Sequence, residues 1–465
     1  MSLSEETYAQ VDRHLEAHAT GALDGLCAFL RLPTVSTLPE HAGDVRGGAE
    51  WLAERLRGIG LRGVRLMETP GHPTVYAEHR EAPGKPTVLI YGHYDVQPPD
   101  PLDLWTTPPF DPQVRSDRLY ARGASDDKGQ VWLHLLALEA LLETSGTLPV
   151  NVRLLIEGEE EIGSPGIVEL LARHRAELSS DLVVVSDTSF FAPGVPSISC
   201  GLRGLASLEV HVRGPERDLH SGEYGGAVAN PVHALSALIS SLHAPDGRVA
   251  VDGFYDGVRP ASAEERSEFA QLPFDEDQWR DAIGITEPFG EPGYTTLERT
   301  WVRPTLEVNG MYGGFQGAGS KTIIPSSAHA KLTCRLVPGQ DPTQVKQAVF
   351  RHLRAHCPPG VRLEIVDGEG APASLIPADS PFVRAAARAL ARAFGRPPVL
   401  TRTGGSIPVV PAFTGELGAP VVLMGFGLPD DRLHAPDESF SLEHFRRGPR
   451  ALAAFWLELG ALPAS

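Results

Sequence analysis

The stretch VLIYGHYD, Val88 to Asp95, reads as a short apolar strand that runs through a glycine into a histidine and an aspartate. A brief apolar run bounded by turn signals suits a strand covered on both faces, as in a parallel sheet between helices. Three more runs share this character: VRLLI (152–156), LVVV (182–185) and PVVLM (420–424). Each leads, directly or through a loop, to residues able to bind a metal ion. His93 and Asp95 follow the first, Glu157 and Glu159 to Glu161 the second, Asp187 the third, and a loop reaching His434 the fourth. Sites in open α/β sheets gather at the carboxyl ends of strands, so these groups are expected to converge. A further pair, Asp126-Asp127, stands before Lys128-Gly129 and a strongly helical run.

Taken singly, each group has an ordinary explanation. Asp126 or Asp127 could cap the helix that follows, Glu159 to Glu161 could form a solvated loop, and His93 or His434 could be structural. Those explanations would have to hold independently at five strand or helix ends. Taken together, several buried carboxylates would repel one another and take up protons, a conflict that divalent cations remove. Imidazole and carboxylate donors without cysteine suit Zn²⁺, Mn²⁺ or Co²⁺ in an open catalytic site. The number of carboxylates favours two ions, an arrangement with a spacing of about 3.5–4 Å that activates water.

The α/β signal is interrupted in the middle. From about Leu202 to Asp367 the strands LASLEVHVRG, AHAKLTCRLVP and VRLEIV alternate in polarity, interspersed with the helices NPVHALSALISSL and DPTQVKQAVFRHLRAH. Such alternation predicts a sheet with one buried face. Sequence of the opening type resumes at PFVRAAARALARAFG. The expected organisation is therefore a discontinuous α/β domain, 1–201 and 373–465, with a second domain, 202–372, inserted in it. The stretch to about Leu32 has helical spacing, and GGAEWLAERLRGIG (47–60) predicts another helix closed by a C-terminal glycine. The proline- and glycine-rich passage from Gly284 to Pro304 reads as an irregular excursion.

The 465 residues are more than one ordinary core requires. A formal net charge of -18 argues against a nucleic-acid partner, which needs clustered basic residues, and mostly serves solubility. Cys27, Cys200, Cys334 and Cys357 form no paired motif and are expected to be reduced thiols. No apolar run approaches the ~20 residues that span a bilayer. The opening MSLSEETYAQ lacks the pattern of a secretory signal, so no membrane partner and a cytoplasmic location are expected.

These features are ordered along the chain as YGHYDVQP (91–98), RGASDDKG (122–129), EGEEEIGSPG (157–166), VVSDT (184–188), RDLHSGEYGG (217–226), CRLVP (334–338), GGSIPV (404–409) and LHAPDE (433–438). So ordered, they resemble the dinuclear metallopeptidases that include carnosinase, cytosolic nonspecific dipeptidase, carboxypeptidase G, acetylornithine deacetylase and succinyl-diaminopimelate desuccinylase. The resemblance covers nearly the whole chain. It implies a mixed-sheet catalytic domain with an inserted, smaller α+β lid and dimerisation domain. By the same resemblance His93 and Asp187 hold one metal ion, Glu161 and His434 hold the other, and Asp126 bridges both. Glu160 is the implied general base, although the third glutamate, Glu159, leaves that register open. Asp95 would accept the remaining ring N–H of His93 and fix its orientation.

Water activated between the two ions would pass a proton to Glu160 and attack the scissile carbonyl. The resemblance implies a homodimer, in which His220 from the partner's inserted domain stabilises the developing oxyanion. Arg335 would clamp the carboxylate terminus of the substrate, with Thr322, Asn309, Gly405 and Ser406 lining the pocket. Aspartate at position 187 is the type found in the dipeptidases and aminopeptidases of that family, which favours small peptides with a free amine. The alternatives are a deacylase of N-acyl amino acids and, from another class, a non-catalytic small-molecule or metal-binding protein. The latter would show itself by a lost base or ligand, and every matched position here carries a competent residue.

Overall fold

Thr87–His93 lies at the centre of a mixed sheet in the computed structural model, which describes residues 5–405, 407 and 409–462. It pairs in parallel with Asn151–Glu157 on one side and Leu182–Val185 on the other. Leu182–Val185 in turn pairs in parallel with Val421–Leu423. All four apolar runs therefore point the same way, and all four are buried almost throughout. Antiparallel strands flank them. Thr74–His79 and then Arg62–Met67 extend the sheet beyond Asn151–Glu157, and Ser197–Leu202 meets Val421–Leu423 at Ser199 and Leu423. The register sets His93 opposite Glu157 and Val185 opposite Leu423, so the carboxyl ends of the four strands share one edge.

The helix Lys128–Ser145 is buried without a break from Lys128 to Leu138, as its nearly all-round apolar sequence requires. Each fully buried leucine on it, such as Leu135, contributes about 1.5–3 kcal/mol relative to exposure. A Cβ at Gly129 would stand 1.9 Å from the Ala124 carbonyl oxygen. Only glycine lets the first turn press so closely on the loop that carries Asp126. Pro381–Phe394 packs on Leu442–Gly460, and Leu442–Gly460 on Lys128–Ser145. The N-terminal region forms Glu5–Ala17, Ala19–Leu30 and Ala42–Gly58. The last of these starts ahead of Gly47, with Asp44 placed favourably in its first turn.

The chain divides into two compact units. One comprises Met1–Cys200, Ile376–Thr401 and Pro408–Ser465, the other Gly201–Leu375 and Arg402–Ile407. In the second unit the strand order is Thr305–Gly313, Ser327–Leu336, Gly204–Arg213, Arg362–Ala371, antiparallel throughout. Gly204–Arg213 alternates between buried and half-buried positions up to an exposed Arg213, as expected of a sheet with one covered face. Leu208, Val210, Leu332 and Cys334 on that face share a core with Leu235 and Leu238 of Pro231–Ser241 and Val349 and Leu353 of Pro342–His356. Asn230 and Asp341 cap these helices, each accepting from a backbone N–H of the first turn. The passage Gly284 to Pro304 is less irregular than its composition suggests, because Thr296–Trp301 is a helix opened by a reciprocal Thr295/Glu298 capping box. Among the described residues no helix is long and apolar enough to cross a membrane.

Candidate metal centre

At the shared edge of the four parallel strands the first unit assembles two groups of metal-binding side chains. One is His93, Asp126 and Asp187, the other Asp126, Glu161 and His434, and in each the donor atoms lie within 4.8 Å of one another. Asp126 belongs to both. Its Oδ1 lies 3.0 Å from His93 Nε2, and its Oδ2 lies 2.9 Å from His434 Nε2. Glu161 Oε2 is 3.4 Å from the same His434 nitrogen. His93 is fully buried and His434 exposed, so the two groups run from the sheet towards solvent.

The surrounding bonds show how these side chains are aimed. Asp95 takes the Ser36 hydroxyl at 2.7 Å and the N–H groups of Glu160 and Glu161 at 3.2 and 3.1 Å, which fixes the turn Glu160–Ile162 that carries both glutamates. His93 Nδ1 lies 3.1 Å from the Asp95 backbone carbonyl and 3.4 Å from its carboxylate, so the carbonyl is the nearer acceptor. Gln97 donates to Glu161 Oε2 at 2.8 Å. Ser186, next to Asp187, donates to the Met424 carbonyl at 2.8 Å and faces the buried His134 at 2.8 Å, joining the ends of two strands. Asp127 precedes its helix without making a capping bond; its Oδ2 accepts the His93 N–H at 3.2 Å instead. The capping explanation for that pair is thereby removed. A Cβ on Gly92 would fall 2.7 Å from the same Asp127 oxygen, so this approach needs glycine.

Glu159 is set apart from its two neighbours. It is buried, accepts the His72 N–H at 2.9 Å and enters neither group. Glu160 and Glu161 are the members of the run that belong to the cluster region, with Glu160 close enough to Asp187, Glu161 and Asp126 to feel their charge.

The donor set fits divalent cations. His93 Nδ1 meets only oxygen acceptors and so carries a ring proton, while Nε2 faces an Asp126 oxygen; against the opposing effect of burial, the bonds to Asp126 and Asp95 hold the ring's affinity for protons well above the usual range. A divalent cation held by these two donors would take the place of the proton on Nε2. The carboxylates show the same need. Burial, reinforced by the charge of Asp126, pushes Asp187 up to about 7, and burial together with Asp187 and Glu161 raises Glu160 well above the usual range. His434 is pushed up to about 10 by its bonds to Asp126 and Glu161. Excess negative charge in a buried space is the condition that bound Zn²⁺ or Mn²⁺ relieves.

The other expected site residues lie in the second unit. His220 is exposed and accepts the Gly222 N–H through Nδ1 at 3.0 Å, so its neutral ring carries the proton on Nε2. His220 pairs with Ile323, and the Thr322 carbonyl accepts the Ser221 N–H at 3.0 Å, which brings His220 and Thr322 side by side. Arg335 is half-buried on Ser327–Leu336, opposite Thr305 and Leu205. Asn309 is exposed at the bulge between Val308 and Gly310, four residues along from Thr305. Gly405 is exposed and donates to Thr403 Oγ1 at 3.3 Å, and Ser406 lies outside the described residues. Ser36 and Gln97 were not singled out in the sequence. Gln97 lies within YGHYDVQP and had a signal, whereas Ser36 acts on a residue 59 positions away and had none.

A family model described as "Peptidase family M20/M25/M40" matches residues 89–458. The chain is 32% identical over 413 residues to Cys-Gly metallodipeptidase dug1 of Schizosaccharomyces pombe, covering 87% of each. It is 33% identical over 398 residues to Beta-Ala-His dipeptidase of Homo sapiens, covering 84% of this chain and 78% of that protein. Among solved structures, the M20 family metallo-carboxypeptidase Sso-CP2 from Sulfolobus solfataricus matches with a TM-score of 0.87 and 34% identity, over 95% of this chain and 99% of that one.

Proposed function

The chain belongs to peptidase family M20/M25/M40, and on that footing we propose that it hydrolyses the amide bond of dipeptides with two divalent ions, Zn²⁺ or Mn²⁺ with Co²⁺ as a substitute. The observation that carries the two-ion reading is the pair of donor groups sharing Asp126: His93, Asp126 and Asp187 for one ion, and Asp126, Glu161 and His434 for the other. When bound, such ions supply Lewis acidity, making the attacking water more acidic and polarising the scissile carbonyl.

The protein's own groups handle the protons. Glu160 takes one from water as the C–O bond forms at the carbonyl carbon, then delivers it to the amide nitrogen as the C–N bond breaks. Its placement on the turn held by Asp95, next to Glu161, supports this role. His220, with its proton on Nε2, would donate to the oxyanion of the partner subunit's site in a homodimer. Arg335 would hold the substrate carboxylate through a bidentate fork, with Thr322, Asn309, Gly405 and Ser406 around it. A cytoplasmic location is part of the same reading, supported by four cysteines none of which is in a disulfide.

Substrate class is tested by measuring kcat/KM, in Mn²⁺ and in Zn²⁺, for Cys-Gly, β-Ala-His and other dipeptides beside N-acetyl and N-succinyl amino acids. Dipeptides are expected to be preferred by at least about 100-fold, in keeping with the metallodipeptidases that the chain resembles. Exclusive turnover of the N-acyl compounds would establish the deacylase reading instead. Subunit sharing is tested by mixing His220→Ala with Glu160→Gln protein. In a two-fold dimer at full exchange, about a quarter of wild-type activity is expected to return. No recovery despite confirmed heterodimers would place His220 outside the site.

A further inference from the structure

The motif LHAPDE ends in a glutamate for which the reaction has no use, and this residue is among the most completely engaged in the molecule. Glu438 is fully buried. Its Oε2 accepts from Arg122 Nη1 at 2.7 Å and the Gly123 N–H at 3.0 Å. Its Oε1 accepts from the Ser125 N–H at 2.9 Å and the Asp126 N–H at 3.1 Å. One carboxylate thus gathers four donors from a five-residue loop, and the last is the backbone of the side chain common to both donor groups.

The loop on which Glu438 sits also carries His434, and its backbone is costly. Arg432, His434 and Asp437 all have φ of 60°, the left-handed region that residues other than glycine enter only when held there. The restraints lie at the two ends. Asp431 accepts the Ser125 hydroxyl at 2.6 Å and the Leu428 N–H at 2.7 Å, and its carbonyl accepts the Ser439 N–H at 2.9 Å. Asp437 accepts the N–H and hydroxyl of Thr106 at 3.0 and 2.6 Å. Glu438 grips residues 122–126 with its side chain and takes the Ala121 N–H at 3.1 Å with its carbonyl. The segment 431–438 is therefore stapled to the segment 121–126 at both ends, with His434 between the staples and its Nε2 2.9 Å from Asp126.

We propose that Glu438 is a positioning residue that sets Asp126 and His434 relative to one another, and thereby fixes the affinity of the chain for its pair of divalent ions. The inference rests on the two-metal reading above. Every donor on Glu438 is a protein group, so the grip exists before any ion arrives. In Glu438→Gln one carboxylate oxygen becomes an NH₂ group, which then faces two N–H donors. Arg122→Met instead removes one donor and leaves the three backbone bonds in place.

The test is calorimetric titration of Mn²⁺ into the chelator-treated full-length chain, for wild type, Glu438→Gln and Arg122→Met, with the thermal midpoint of each measured in chelator. Glu438→Gln is expected to weaken Mn²⁺ binding about 10–100-fold. Arg122→Met is expected to change it by less than about threefold, even where its midpoint falls as far. Affinity within threefold of wild type for Glu438→Gln, or affinity losses that track the loss of midpoint in both variants, would overturn the proposal. A wild-type chain that takes up no Mn²⁺ would overturn the two-metal reading itself. Amide exchange in wild type decides the matter if Glu438→Gln fails to fold. The Ser125 and Asp126 amides should stay protected without metal, and free exchange there would show that the ions, not Glu438, order the loop.

Discussion

Glu160→Gln protein is expected to turn over dipeptides about 10²–10⁴-fold more slowly than wild type while binding the same amount of metal. The substitution keeps the size of the side chain and removes its basicity. Glu160 belongs to neither donor group, so metal content should survive. Its backbone N–H remains available to Asp95, so the turn should also survive. Burial and the charges of Asp187 and Glu161 raise its affinity for protons, and bound cations would bring that affinity back towards the range in which a carboxylate accepts and returns a proton. Glu159→Gln provides the contrast, because Glu159 is spent on the His72 N–H and should affect stability rather than rate. The check is kcat beside metal content measured by emission spectrometry. An unchanged kcat in Glu160→Gln would remove it as the base.

Asp126→Asn is expected to cost both ions at once. Each oxygen of Asp126 faces a different histidine, and no other residue belongs to both donor groups. An amide keeps one oxygen and turns the other position into a donor. Since Lewis acidity accounts for several kcal/mol of barrier lowering, activity should fall by at least about 10³-fold. Asp187→Asn touches one group only and should lose one equivalent. If the two variants lost the same amount of metal, Asp126 would not be shared.

The sheet was legible in the sequence because four apolar runs kept strand length and ended in charged residues. The gathering of their carboxyl ends was expected from that pattern and from the rule that sites form there, whereas the register that places His93 beside Glu157 and Val185 beside Leu423 comes from the structure. The alternation of LASLEVHVRG likewise announced a sheet with one covered face. The Thr295/Glu298 capping box was also written in the sequence, but the surrounding prolines and glycines outweighed it. What the sequence could not supply was the long-range bonding that aims the side chains. Glu438 meets Ser125 and Asp126 across more than three hundred residues, and Asp95 meets Ser36 across 59. Neither contact leaves a periodic trace. The nearer acceptor for His93 Nδ1, a backbone carbonyl rather than the Asp95 carboxylate, also depends on atomic positions that residue types do not specify.

The most direct test of a two-metal dipeptidase is the hydrolysis rate of Cys-Gly by chelator-stripped wild-type protein as Mn²⁺ is added back in known amounts. The expected result is no turnover without metal and a rate that reaches its plateau at two equivalents per chain. Turnover that persists after stripping, or a plateau at one equivalent, would contradict it.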